Sequence, residues 1–172
     1  MEKIIEKISK QLKPLLQRLI LAVSVDGQIL DGEDENTLFG EEVKIYFSDD
    51  KTVEITTDDI PHFYGEGDLD LKFEKNRYSE KLFSKFNNKS ISGIKIYGWK
   101  RKGINLFKAA KYLVQIEFYH NDELLLSSGF FYFDQSTKKM EGLITGELSV
   151  SPKYNLSIDD YEGNLLLLDE IK

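Results

Sequence analysis

The chain has 172 residues, 41% hydrophobic and 31% charged, enough apolar material to bury a core and too much for a disordered polymer. It contains no cysteine, which excludes disulfides, thiolate metal sites and cysteine nucleophiles, and agrees with a reducing compartment. The formal net charge is −7, and lysine outnumbers arginine by 20 to 3, a ratio that weighs against a dedicated reader of bases or phosphates.

Residues 2 to 16 carry the clearest helical period. Ile4, Ile5, Ile8, Leu12, Leu15, Leu16 and Leu19 recur every three or four positions, with lysines opposite. Pro14 removes a hydrogen bond to the carbonyl of Lys10, so a kink or a fresh turn is expected there, with the helix over by Arg18. Glu2, Lys3, Glu6, Lys7 and Lys10 interrupt the apolar residues, unlike the unbroken core of a signal peptide. The longest apolar runs, Leu19 to Val23 and Leu165 to Leu168, fall far short of the roughly 18 residues of a membrane span. The expectation is a cytoplasmic protein that makes no membrane contact.

Asp26-Gly27, between Val23/Val25 and Ile29/Leu30, is a two-residue hairpin signal. Residues 31 to 41 read as an acidic loop. Val43, Ile45 and Phe47 alternate with Lys44, Tyr46 and Ser48 as in a half-buried strand, and Asp49-Asp50-Lys51 turns the chain into a partner strand with Val53 and Ile55. Residues 58 to 70, with Pro61, two glycines and five acids, read as loop. Residues 78 to 87 suit a short helix with Leu82, Phe83 and Phe86 on one side. Strands are then expected over 91 to 99, 111 to 119, 123 to 133 and 142 to 150, and a last one over 165 to 168. The middle pair, joined by His120-Asn121-Asp122, is the strongest hairpin. The implied fold is a single α+β domain over residues 1–172. It is a curved, mainly antiparallel sheet with an amphipathic N-terminal helix and one further short helix.

Charge is sorted along the chain. Residues 31 to 70 hold 14 acids against Lys44 and Lys51, a net −12, whereas residues 71 to 111 hold 12 bases against Glu74 and Glu80, a net +10. Two readings compete. The blocks face each other and cancel, or they form separate faces, one of which steers a charged partner.

The stretch from Lys95 to Lys111 interleaves Lys95, Lys100, Arg101, Lys102 and Lys108 with Tyr97, Trp99 and Phe107. Such a mixture stacks bases and tracks phosphates, although Tyr97 and Trp99 are also spaced as same-face strand residues. Asp31, Glu33, Glu35 and Glu42 fall at calcium-loop positions, but Asn36 stands where the sharp turn needs glycine. Asp58, Asp59, His62, Glu66 and Asp68 offer metal donors in a spacing that matches no established motif. His62 and His120 are the only histidines available as bases, and Ser127 and Ser128 lack a nucleophile-elbow pattern. No catalytic, metal or cofactor set emerges, which points away from an enzyme.

The leading expectation is therefore a non-enzymatic module that binds another protein through an acidic face, with Asp34, Glu35, Asp58, Asp59, Glu66 and Asp68 as its contact residues. Bacterial immunity proteins, small acidic inhibitors of basic toxins, are similar in charge and size, although no motif carries the likeness. The alternative is nucleic-acid or polyanion binding by Lys95, Trp99, Lys100, Arg101, Lys102 and Lys108.

Overall fold

The computed structural model describes residues 2–30, 38–58, 68–75, 89–100, 111–129, 131–134, 139–143, 148–151 and 165–172. Helix α1 spans Glu2–Leu12 and passes into a 3-10 turn, Lys13–Leu15, that carries Pro14 in its first turn. Pro14 has no N–H to donate to the Lys10 carbonyl, and the change of helix type falls where that bond is missing. Ile8, Leu12 and Leu15 are buried, while Ile4, part of the expected stripe, is exposed. The Ser9 hydroxyl donates to the Asp169 carboxylate and ties the helix to the last strand.

The first sheet is built from β1 (Ile20–Val25), β2 (Gln28–Ile29), β4 (Glu42–Phe47), β5 (Lys51–Asp58) and β6 (Asp68–Lys75), after β3 (Leu38–Gly40) has joined the second. Its order is β2-β1-β4-β5-β6. The second sheet takes β7 (Gly93–Lys100), β8 (Lys111–His120), β9 (Glu123–Gly129), β12 (Leu148–Ser151) and β13 (Leu165–Ile171) in the order β13-β7-β8-β9-β12-β3. Strands β10 (Phe131–Asp134) and β11 (Lys139–Leu143) form a separate two-stranded ladder. Every pairing is antiparallel.

The turn from β1 to β2 has positive φ at both Asp26 (48°) and Gly27 (80°), the geometry of a two-residue hairpin whose twist matches its strands. The Asp26 carboxylate then accepts the backbone N–H groups of Glu41 and Glu42, at 3.1 and 2.9 Å. That contact brings β3 so close that a Cβ on Gly40 would lie 2.4 Å from the Asp26 carboxylate, so only glycine fits there.

One face of each sheet enters a common core. Val43, Ile45, Phe47, Val53 and Ile55 from the first meet Ile94, Ile96, Ile116, Phe118 and Leu126 from the second. Phe47 and Phe118 lie with ring centroids 5.8 Å apart and planes tilted by 53°.

The protein is sheet-rich and mostly antiparallel, as the sequence suggested, with several corrections. The strands are divided between separate sheets, because β7–β9 pair in succession, β12 joins β9 to β3, and none of them pairs with β6. The acidic loop of 31–41 contains β3, and the loop of 58–70 ends in β6, where Leu69, Leu71 and Phe73 alternate with charged residues. The strand expected over 123–133 is split between β9 and β10, and that over 142–150 between β11 and β12. The helix expected over 78–87 lies outside the described residues.

Truncating Phe118 to alanine should cost about 3–5 kcal/mol, because it removes a fully buried ring and leaves a cavity. Urea denaturation measures this, and a loss below about 1 kcal/mol would contradict the ring's place between the sheets.

Candidate functional site

Charge on the outer face of the first sheet is set by strand register. Lys44 lies opposite Glu54, and Glu54 opposite Lys72. The Lys72 ammonium stands 3.1 Å from Glu54, and that of Lys44 stands 3.4 Å from Glu54 and 2.7 Å from Glu42. The Lys72 hydrogen bond holds the Glu54 carboxyl below its ordinary range, against the opposing effect of burial. Contact with Glu42 raises the Lys44 ammonium and contact with Glu54 raises that of Lys72. Lys89 likewise pairs with Glu123 at 2.6 Å, and Arg18 with Asp49. Part of the acidic block is therefore neutralised by the basic block and by residues outside both.

The same register sets like charges opposite each other at the two ends of the β5–β6 hairpin. Asp58 lies directly opposite Asp68, with Thr56 opposite an exposed Asp70. At the far end Lys51 lies opposite Lys75. Over seven residue steps, about 23 Å of strand, the hairpin runs from a cationic pair to an anionic one.

Of the acids expected to form a binding face, the structure brings Asp58 and Asp68 together as a cross-strand pair. Asp34, Glu35, Asp59 and Glu66 lie outside the described residues, as do Arg101, Lys102 and Lys108 of the basic stretch. Trp99 and Lys100 sit on β7, opposite Tyr112 and Lys111. Lys95 places its ammonium 4.5 Å from the centre of the Tyr119 ring, a cation–π contact. His62 lies outside the described residues, while His120 Nδ1 is 2.8 Å from the Ser90 carbonyl oxygen. Among the described residues no group of three or more His, Asp or Glu side chains is placed to hold a metal ion.

A second cluster escaped the sequence reading. Glu170, Lys95, Glu117, Ser127 and Ser151 are successive cross-strand partners through five strands of the second sheet. At the middle of this row Glu117 is fully buried. Its carboxyl accepts hydrogen bonds from Gln115 Nε2 and from the Tyr119 hydroxyl, both at 2.5 Å. Burial raises the Glu117 pKa above the ordinary carboxylate range, with the Tyr119, Gln115 and Tyr97 hydrogen bonds and the Lys95 charge opposing it. Tyr97 is driven well above its usual value, first by burial and then by the Glu117 charge. The only signal in the sequence was the polar alternation of Gln115 and Glu117 within an otherwise apolar strand.

Glu117, Gln115, Tyr97 and Tyr119 are buried, so they act as an internal polar clamp across β7 and β8, while Lys95 and Glu170 at the edge of the row reach solvent. Compared with protein-family models, with curated proteins and with solved structures, the chain matches none.

Because the folded pKa of Glu117 lies above the unfolded one, the stability it contributes is complete below about pH 4.3 and is lost as pH rises through the folded value. Glu117→Gln removes this ionisation. The variant should gain on the wild type steadily as pH rises from acid to neutral in chemical denaturation. A stability difference that does not change with pH would contradict the raised pKa.

Proposed function

We propose that this protein is a non-enzymatic binding module whose acidic surface, centred on the Asp58–Asp68 end of the β5–β6 hairpin, meets a basic surface on another protein. The observation that carries this reading is the register that sets two aspartates opposite each other, next to Asp70. Like charges directly opposite on paired strands destabilise the sheet, and a partner's lysines or arginines would relieve that repulsion. Asp59 and Glu66 flank the pair in sequence, and Asp34 and Glu35 add to the same acidic block. A neutralising inhibitor of a basic protein, as an immunity protein is, would use such a surface.

The polyanion reading of residues 95–111 has less support. The Lys95 ammonium sits over the Tyr119 ring, and the residue lies between Glu117 and Glu170 in the cross-strand row, so its charge is already engaged.

The test is affinity capture from extracts of the source cells, comparing the wild type with Asp58→Lys/Asp68→Lys and with the control Glu6→Lys on the exposed helix face. A partner held by the wild type and the control should be weakened at least tenfold by the double reversal, about 1.4 kcal/mol, and released by salt. Recovery indifferent to the reversal would overturn the proposal.

A further inference from the structure

At the cationic end of the same hairpin, the 3-10 turn and strands β5 and β6 enclose a groove of about 230 Å³. Side chains alternate along a strand, so Lys51 and Val53 on β5 share a face with their partners Lys75 and Phe73 on β6. Leu15 and Pro14 close that face from the helix side. Val53 and Leu15 are buried and Phe73 is half-buried, giving an apolar floor, and the two lysines stand at the mouth. Glu74 also borders the groove, but the alternation turns it toward the opposite face of the strand.

Among the described residues the two lysines lack a carboxylate partner within ion-pair distance. Lys51 donates to the Pro14 carbonyl oxygen at 3.2 Å. Two cations opposite each other on paired strands repel. An anion placed between them would remove that repulsion while its apolar part covered the floor.

We propose that this groove binds a small amphiphilic carboxylate, with an apolar body seated on Phe73, Val53 and Leu15 and its carboxylate between Lys51 and Lys75. Size sets the class. A cavity of about 150 Å³ takes a benzene ring, so this groove suits an apolar body of roughly eight to ten non-hydrogen atoms. The site lies at the opposite end of the hairpin from the acidic surface and does not depend on that surface having a partner.

The experiment is a titration of the full chain with 3-phenylpropionate, followed by amide chemical shifts, beside two other probes: its neutral amide and inorganic phosphate. The acid should give saturable shifts centred on Leu15, Val53 and Phe73, and should bind at least tenfold more tightly than the amide. Lys51→Gln/Lys75→Gln changes only groove-mouth lysines; it should keep the melting behaviour of a folded protein and reduce the acid to the level of the amide. Absence of saturable shifts into the millimolar range, equal binding of acid and amide, or an undiminished response in the double variant would each overturn the proposal. So would phosphate matching the acid at the same amides, which would reduce the site to a bare cation pair.

Discussion

The alignment of β5 against β6 is the constraint on which the rest of the first sheet depends. Val53 and Ile55 on one strand and Leu69, Leu71 and Phe73 on the other reach or pack against the core in this register. A slip of one residue would turn each of them outward and bring charged neighbours inward. Apolar burial therefore dictates the alignment, and the outward-facing charges take whatever partners it assigns. In the middle of the hairpin those partners are complementary, as at Glu54 and Lys72. At its ends the register sets like charges opposite each other, Asp58 with Asp68 and, on the face shared with Val53 and Phe73, Lys51 with Lys75. Both proposed binding surfaces lie at these like-charged ends.

The second sheet obeys the same two-residue period to a different end. Its inner residues, Ile94, Ile96, Ile116 and Phe118, meet the first sheet, while the opposite face of β7 and β8 carries Lys95, Tyr97, Gln115, Glu117 and Tyr119. Burial of Tyr97, Gln115, Glu117 and Tyr119 forces these polar groups to satisfy one another. Tyr119 donates to Glu117 and also receives the Lys95 cation against its ring, so one side chain links the acid to the base. Removing Glu117 altogether would leave Gln115 and Tyr119 as buried donors without that acceptor, whereas converting it to glutamine keeps an acceptor in place.

Legibility from the sequence followed how local each signal was. Asp26-Gly27 and the alternation of Val43, Ile45 and Phe47 are complete within a few residues, and both describe the structure correctly. Pro14 marked the change from α-helix to 3-10 turn for the same reason. Strand β6 carried an equally local alternation in Leu69, Leu71 and Phe73, but its intervening acids merged in composition with the loop before it. The core-facing side of the strand was readable, and its charge obscured it. Glu117 was hidden more deeply, because its burial and its partners depend on the pairing of β7 with β8, including a register shift between Tyr97 and Gly98. The charge blocks were visible as totals. Which charges cancel was not, since Glu54 meets Lys72 only through strand pairing.

Repulsion across the Asp58–Asp68 pair is the physical claim that the functional proposal rests on most directly. It is measured by the thermal stability of Asp58→Asn, of Asp68→Asn and of the double variant, at low and at high salt. Each single neutralisation should raise the melting temperature at low salt, the second should add less than the first, and salt should erase the gains. Melting temperatures that fall or stay unchanged, or gains that persist at high salt, would contradict it.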